Sequence, residues 1–376
     1  LETHHITFSN PWENLPSHLP ILGKLMSAKL QEIQALLARI GRPVQLMEVC
    51  GTHTMAIFRT GLRSLMPESL RLLSGPGCPV CVTHDSFLEH ALAIAAEPNT
   101  LITTFGDMLR VPGRSGSLEM ARAKGANVQV VYSPLDALAM ARQHPDLRIV
   151  FLGIGFETTA PTTAGALVAA KQEGMKNFLV LSAHKTVPNA LAALLTSGEV
   201  KIDGFLMPGH VSVITGTHIY EPVARDFKRP AVVTGFEAEE ILAGVTLTLQ
   251  MIAEGRAEVG NAYARTVTAE GNYKARELMA EVFEPCDAIW RGLGTIPGSG
   301  LNLRATYAAH DATRLFPAPK TDVPETSRGC RCGDVLRGAI TPPQCPLFRN
   351  VCTPWSPQGA CMVSGEGTCA AYFRFS

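Results

Sequence analysis

Between about residues 43 and 253 the chain repeats one rhythm. A short apolar run ends in a turn of glycine or small residues, and an amphipathic stretch follows. Runs at 45–49, 100–104, 128–132, 148–152, 178–182, 204–207 and 231–234 read as strands. Stretches at 54–65, 85–96, 118–124, 135–143, 162–172, 189–195 and 238–254 read as helices. Strand and helix in turn, with unbroken apolar strands, predict an α/β fold of parallel sheets covered on both faces. The strands run into VCGTH, TTFGD, GIGFETT, SAHKT, MPGHV and VTGFE, each a turn with a polar or ionisable group. In open α/β sheets, ligands bind at these carboxyl ends. The echo among TFGD, GFET and GFEA points to two similar halves facing a cleft. One further amphipathic helix is expected over about 19–39, GLGTIPGSG at 292–300 reads as a connector, and Pro, Gly and Cys dominate from Pro317 on.

Composition removes several classes of function. Lys+Arg and Asp+Glu both total 33, so there is no surplus of positive charge for nucleic acid. Hydrophobic residues make up 46 % and charged residues 18 %, as in a globular protein of two or three domains. The opening LETHHITFSN lacks the pattern of a signal peptide. The longest apolar stretches, near 158–170 and 241–253, fall short of the roughly 18–20 residues that span a bilayer. The expectation is a cytoplasmic protein with no membrane and no nucleic-acid partner. No G-x-x-x-x-G-K-[ST] occurs, and Gly153-Ile-Gly155 is a lone G-x-G.

Ten cysteines in a reducing compartment point to metal or redox chemistry rather than staples. Cys50-Gly-Thr-His53 sits where the apolar run 46–49 stops. A helix N-terminus there favours a thiolate, and His53 is near enough to share a proton or a metal. A buried structural cysteine beside a surface histidine is the plainer reading. Cys78-Pro-Val-Cys81 follows a glycine-rich turn and has the form of a dithiol/disulfide pair, or of half a zinc site. Six more thiols, Cys330, Cys332, Cys345, Cys352, Cys361 and Cys369, lie on proline-bounded loops that suit either zinc or a [4Fe–4S] cluster. Their long, irregular spacing and the Cys345-Pro346 dipeptide lean toward the cluster. On the residues alone two readings stand: a thiol–disulfide oxidoreductase whose iron–sulfur cluster reduces a client, and a binding module with a zinc-filled tail.

Six motifs in order, MEVCGTHTMAIF, GPGCPVC, TFGDMLRVPG, GFETTAPTTA, PGHVS and CGDVLRG…CPLF…GEGTCAAY, resemble the HypD family of hydrogenase maturation factors from about residue 40 onward. The resemblance implies two Rossmann-like parallel-sheet domains plus a cysteine-rich iron–sulfur domain. It divides the chain into 41–145 with Cys50 and the C-x-x-C, 146–253, and a third domain of 1–40 and 254–376. It implies a scaffold with redox activity that acts with a small HypC-like partner. On it the iron of [NiFe]-hydrogenase, a transient Fe(II), acquires two cyanides and one carbon monoxide, the cyanide coming from HypE with HypF. Cys50 matches the iron-binding cysteine with His53 beside it, Cys78 and Cys81 the redox pair, and Glu366 a functional tail glutamate. Cys332, Cys345, Cys352 and Cys369 best match the ligands of a [4Fe–4S] cluster, with Cys330 and Cys332 competing for one corner. Asp107, Glu157 and His210 fall in further cleft motifs. On local grounds Glu157 also fits a helix N-terminus, with Thr158 or Thr159 as cap and Pro161 in the first turn. Asp107 and His210 also fit plain turns.

Overall fold

The computed structural model describes residues 20–319 and 329–376. The opening LETHHITFSN and the rest of the first 19 residues lie outside the described part, as do residues 320–328. Eleven strands are present among the described residues: β1 (Val44–Glu48), β2 (Leu70–Ser74), β3 (Thr100–Thr104), β4 (Val128–Val130), β5 (Arg148–Gly153), β6 (Phe178–Ser182), β7 (Gly204–Pro208), β8 (Ala231–Thr234), β9 (Val259–Asn261), β10 (Phe283–Trp290) and β11 (Gly294–Leu303). Two sheets are wholly parallel, with strand orders β2-β1-β7-β8-β9 and β4-β3-β5-β6. The α/β expectation therefore holds, and all seven expected strands are found.

Alternation along the strands explains the layering. In β1, Val44 and Leu46 join the core under the helices Pro20–Ile40 and Ala238–Ala253, while Met47 and Val49 face the other way. In β5, Ile149 and Phe151 enter one core and Val150 and Leu152 another. One buried cluster takes Met47, Phe205 and Met207 from the first sheet and Val150, Leu152 and Leu181 from the second. It also contains Cys78, Cys81, Cys332, Cys361 and Cys369. The two sheets and the cysteine-rich tail thus share a core, where each fully buried Leu or Phe contributes about 1.5–3 kcal/mol.

The sheets do not follow a division at residues 145/146. β1 and β2 pair with β7–β9, and β3–β6 form the other sheet, so the first unit is interrupted by the second. A parallel neighbour is reached by a crossover, and here the crossover from β2 to β7 is long enough to contain the whole second sheet. The third segment is shared out as well. The helix Pro20–Ile40 packs on Ala238–Ala253, with Gln250 donating to Glu32 at 3.0 Å. β9 extends the first sheet, and the helix Tyr273–Val282 packs on Ala160–Gln172 beside the second. The expected connector at 292–300 is instead the turn and part of β11 in an antiparallel hairpin. Gly292 and Gly294 take φ of 76° and 73° at the turn, which glycine adopts at no steric cost.

Candidate thiol and metal site

The carboxyl ends of the first sheet meet at Cys50. Cys50 follows β1 and occupies the N-cap position of the helix Gly51–Arg59, with extended backbone and no side-chain capping bond. Its sulfur stands 4.0 Å from Nε2 of His210, which follows β7. The C-x-x-C loop after β2 lies directly against it. Gly75 N–H donates to the Glu48 carbonyl at 2.9 Å, and Gly51 N–H donates to the Gly77 carbonyl at 3.2 Å. A Cβ on Gly77 would stand 2.2 Å from the Cys50 nitrogen, so only glycine permits this approach. Cys78 and Cys81 are joined as a disulfide at the start of the short helix Pro79–Val82.

Two histidines share the Phe236 ring. His210 stacks on it at 5.1 Å and His53 leans on it at 4.7 Å. His53 is fully buried rather than a surface residue. Its Nε2–H donates to the Gly235 carbonyl at 2.9 Å, which leaves Nδ1 as a buried acceptor with no partner. Burial pushes both imidazoles down to about 4, so both are neutral at physiological pH. Cys50 departs from expectation. Burial, with the charge of Glu366 adding to it, pushes its thiol up to about 12, which outweighs the helix N-terminus. Such a thiol stays protonated until a cation arrives; a coordinating thiol is deprotonated outright. Cys50 is itself buried, only 3 % exposed. Thr52, His210 and Glu366 around it are half-buried.

Glu366 reaches the site from the tail. Thr52 Oγ1 donates to its carboxylate at 2.6 Å, and a Cβ on Gly51 would meet Glu366 at 2.5 Å. Burial, then the nearby Asp107 charge, raises the Glu366 carboxyl. Asp107, after β3, accepts from Ser364 Oγ and Gly365 N–H, both at 2.9 Å, and so ties the tail loop to the second sheet. Glu157 does act as a helix cap, but for another helix. It accepts from Val187 N–H at 2.9 Å, the first residue of Val187–Ser197. Its second oxygen has no partner, and burial pushes it up to about 7. Thr159 takes the N-cap position of Ala160–Gln172 without a side-chain bond.

Glu48 was hidden inside what reads as an apolar run. It is fully buried two residues before Cys50, accepts from Ser74 at 2.7 Å and Thr54 at 3.2 Å, and is pushed up to about 7 by burial. The visible signal was a carboxylate in a core strand. Thr52 and Phe236 carried no signal of their own.

All six tail thiols line one cavity of about 330 Å³ with Val335, Leu347, Phe348 and Met362. Among the described residues no three His, Cys, Asp or Glu groups form a ready site for one metal ion. The thiols surround a space rather than a point. The Cys332 and Cys361 sulfurs are 2.8 Å apart. Hydrogen bonds from Cys330 and Cys361, then the Arg291 guanidinium, hold Cys332 below the ordinary thiol range. Arg291 is buried, ion-paired with Asp85 at 2.6 Å, and its Nε has no partner. Apolar walls, thiols in excess of four and a buried guanidinium fit an anionic iron–sulfur cluster. The helix Ala360–Val363, which carries Cys361, packs on Pro79–Val82, which carries Cys81.

Fold and site together define an α/β thiol protein in which a solitary cysteine, a C-x-x-C pair and a thiol-lined cavity surround one core. A family model described as "HypD: Hydrogenase formation hypA family" matches residues 24–376. Hydrogenase maturation factor HypD of Rhodobacter capsulatus is 45 % identical over 93 % of this chain and 95 % of its own length. The factor of the same name from Escherichia coli K12 is 46 % identical over 89 % and 90 %, and that of Cupriavidus necator 44 % over 90 % and 91 %. The chain belongs to the HypD family of hydrogenase maturation factors, and its role lies in hydrogenase maturation. No helix among the described residues is long and apolar enough to cross a membrane.

Proposed function

We propose that this chain is a cytoplasmic scaffold and electron donor on which, with a small HypC-like protein, the Fe(CN)2CO centre of [NiFe]-hydrogenase is assembled. The ferrous ion is the substrate. Low-spin Fe(II) carrying cyanide and carbon monoxide is soft, and a thiolate suits it. Cys50 is the anchor, and the partner supplies the facing ligand from its own cysteine. The observation that carries this reading is the contact of the Cys50 backbone with the C-x-x-C loop at Gly77. It sets an iron anchor beside a two-electron switch.

Cyanide comes from a thiocyanate on HypE, charged through HypF. Breaking the sulfur–carbon bond to release cyanide as an anion consumes two electrons. The Cys78/Cys81 dithiol gives them by closing its S–S bond and releases two protons, one of which goes to the leaving thiolate. The other leaves to solvent, since burial holds His53 near 4, too weak a base to keep it. The approach of Cys332 to Cys361 favours these two as a thiol pair and leaves Cys330, Cys345, Cys352 and Cys369 to hold the cluster. This replaces Cys332 by Cys330 in the set expected from the motifs. When bound, a [4Fe–4S] cluster supplies electrons one at a time.

The test is infrared spectroscopy of the protein purified anaerobically with its small partner. Metal-bound cyanide and carbon monoxide absorb where protein does not. Bands present in the wild type and absent in a folded Cys50→Ala variant support the reading. Bands that survive Cys50→Ala overturn the scaffold and leave a thiol oxidoreductase as the alternative, and cyanide attachment unimpaired in Cys78→Ser overturns the electron-donor role.

A further inference from the structure

The SAHKT turn after β6 and Cys286 on β10 take no part in the site above. They meet in a separate cavity of about 770 Å³, open to solvent, at the carboxyl end of β6. Its wall is shared by residues 182–185, the β10–β11 hairpin and the start of the helix Asp85–Ala95. The hairpin is fixed to the strand end. Lys185 bridges Gly300, Leu301 N–H donates to the His184 carbonyl at 3.1 Å, and Ser182 Oγ donates to the Leu301 carbonyl at 2.7 Å.

Gly300 lies between Lys185 on one side and Cys286, its partner in the hairpin, on the other. A Cβ there would stand 3.0 Å from the Cys286 sulfur and 2.8 Å from Ala288, so glycine keeps the floor clear. Lys185 lines the cavity and is only 4 % exposed. Its Nζ donates to the Ile289 carbonyl at 2.9 Å and lies 5.4 Å from the Trp290 ring centre. Among the described residues no carboxylate lies within ion-pair distance of it. Asp287 is at the rim, exposed, and accepts from Gly298 N–H at 3.0 Å. A buried ammonium is costly without a counter-ion. One carbonyl and one ring face occupy part of its donor capacity of three protons.

We propose that this cavity binds a small oxyanion, a carboxylate or phosphate group, against the Lys185 ammonium, with the Cys286 thiol beside the bound ligand. Ser182, Ser86 and Thr313 line the same wall, but their hydroxyl protons go to the Leu301 carbonyl, His84 Nδ1 and the Asp311 carboxylate, which leaves the Lys185 ammonium as the donor. The site is separate from the Cys50 centre and independent of the iron chemistry.

Iodoacetate and iodoacetamide test it, since they share size and reactive carbon and differ in charge. Their alkylation rates at Cys286 are read on the full-length protein by peptide mass spectrometry, with 2-mercaptoethanol as the free-thiol reference. The ratio of iodoacetate to iodoacetamide rate is expected to be at least about tenfold higher at Cys286 than at the reference. It falls to the reference in Lys185→Met and persists in Lys185→Arg. Acetate and inorganic phosphate are then added separately, and the one that slows labelling at the lower concentration names the group. A wild-type ratio equal to the reference, or a preference that survives Lys185→Met in a folded variant, overturns the proposal. Should Lys185→Met fail to fold, the wild-type competition decides: no slowing by either anion overturns it.

Discussion

Replacing Gly77 by alanine tests the contact on which the proposed function rests. The new Cβ would stand 2.2 Å from the Cys50 nitrogen and 2.3 Å from its Cα, both backbone atoms that cannot swing aside. Ordinary contact begins at 3.4 Å, so the loops must part by 3.4 − 2.2, about 1.2 Å. That movement also breaks the 3.2 Å bond from Gly51 N–H to the Gly77 carbonyl. Overpacking costs about 1–3 kcal/mol and the lost bond about 1 kcal/mol. The expected loss is about 3 kcal/mol, roughly a hundredfold in the folding equilibrium. Urea unfolding reads it as a lower midpoint at unchanged slope. Gly165→Ala is the control, because its Cβ meets only Leu278 at 3.6 Å within a helix and should stabilise by up to about 1 kcal/mol. If Gly77→Ala shifts stability by less than about 0.5 kcal/mol and leaves iron loading intact, the loops are not in the contact described here.

Three further outcomes follow from the buried carboxyls and the tail clamp. Glu48 has a folded-state pKa of about 7 against 4.5 in the open chain. Its stabilising contribution is therefore complete below pH 4.5 and is lost as pH rises through about 7, to the extent of about 3 kcal/mol. Stability of the wild type measured against Glu48→Gln should fall across that window, and a flat difference would exclude the buried carboxyl. Glu157→Ala should cost about 1–2 kcal/mol and speed amide exchange at Val187, whose N–H loses its acceptor. Unchanged exchange there would refute the cap. Asp107→Ala removes the acceptor of both Ser364 and Gly365 and should cost about 2 kcal/mol in urea, with Asp107→Asn losing less. Equal losses would mean that charge matters more than the acceptor.

Local pattern carried most of the α/β elements. The expected strand 100–104 is Thr100–Thr104, and 231–234 is Ala231–Thr234, because short runs of apolar and β-branched residues between helices leave little choice. What pattern missed was non-local. The pairing of β1 with β7 joins residues 158 apart, as in Leu46 with Gly204, and no window on the sequence spans that distance. The hairpin around residues 292–300 was obscured because glycine and proline read as linker, although ladder bonds need only backbone. Cys50, the C-x-x-C loop and His210 were legible because each ends a strand of one sheet. Glu366 was legible only through resemblance. The approach of Cys332 to Cys361 needed coordinates, since six thiols on loops offer no spacing rule that says which two come together. Glu48 was overlooked because one charge in an otherwise apolar strand does not break its period.

The interrupted sheet has a consequence for synthesis. Chains elongate at about 5–20 residues per second. β7 is made 158 residues after its neighbour β1, counted from Leu46 to Gly204, so β1 waits about 8–32 s for it. Cys50, Cys78 and Cys81 emerge before β7, without the wall that later encloses them. Glu366 meets Thr52 across 314 residues and arrives later still. A nascent chain thus carries three thiols open to oxidants and stray metals over that interval, and slow codons or oxidising conditions should lower the yield of folded protein without altering a single native contact.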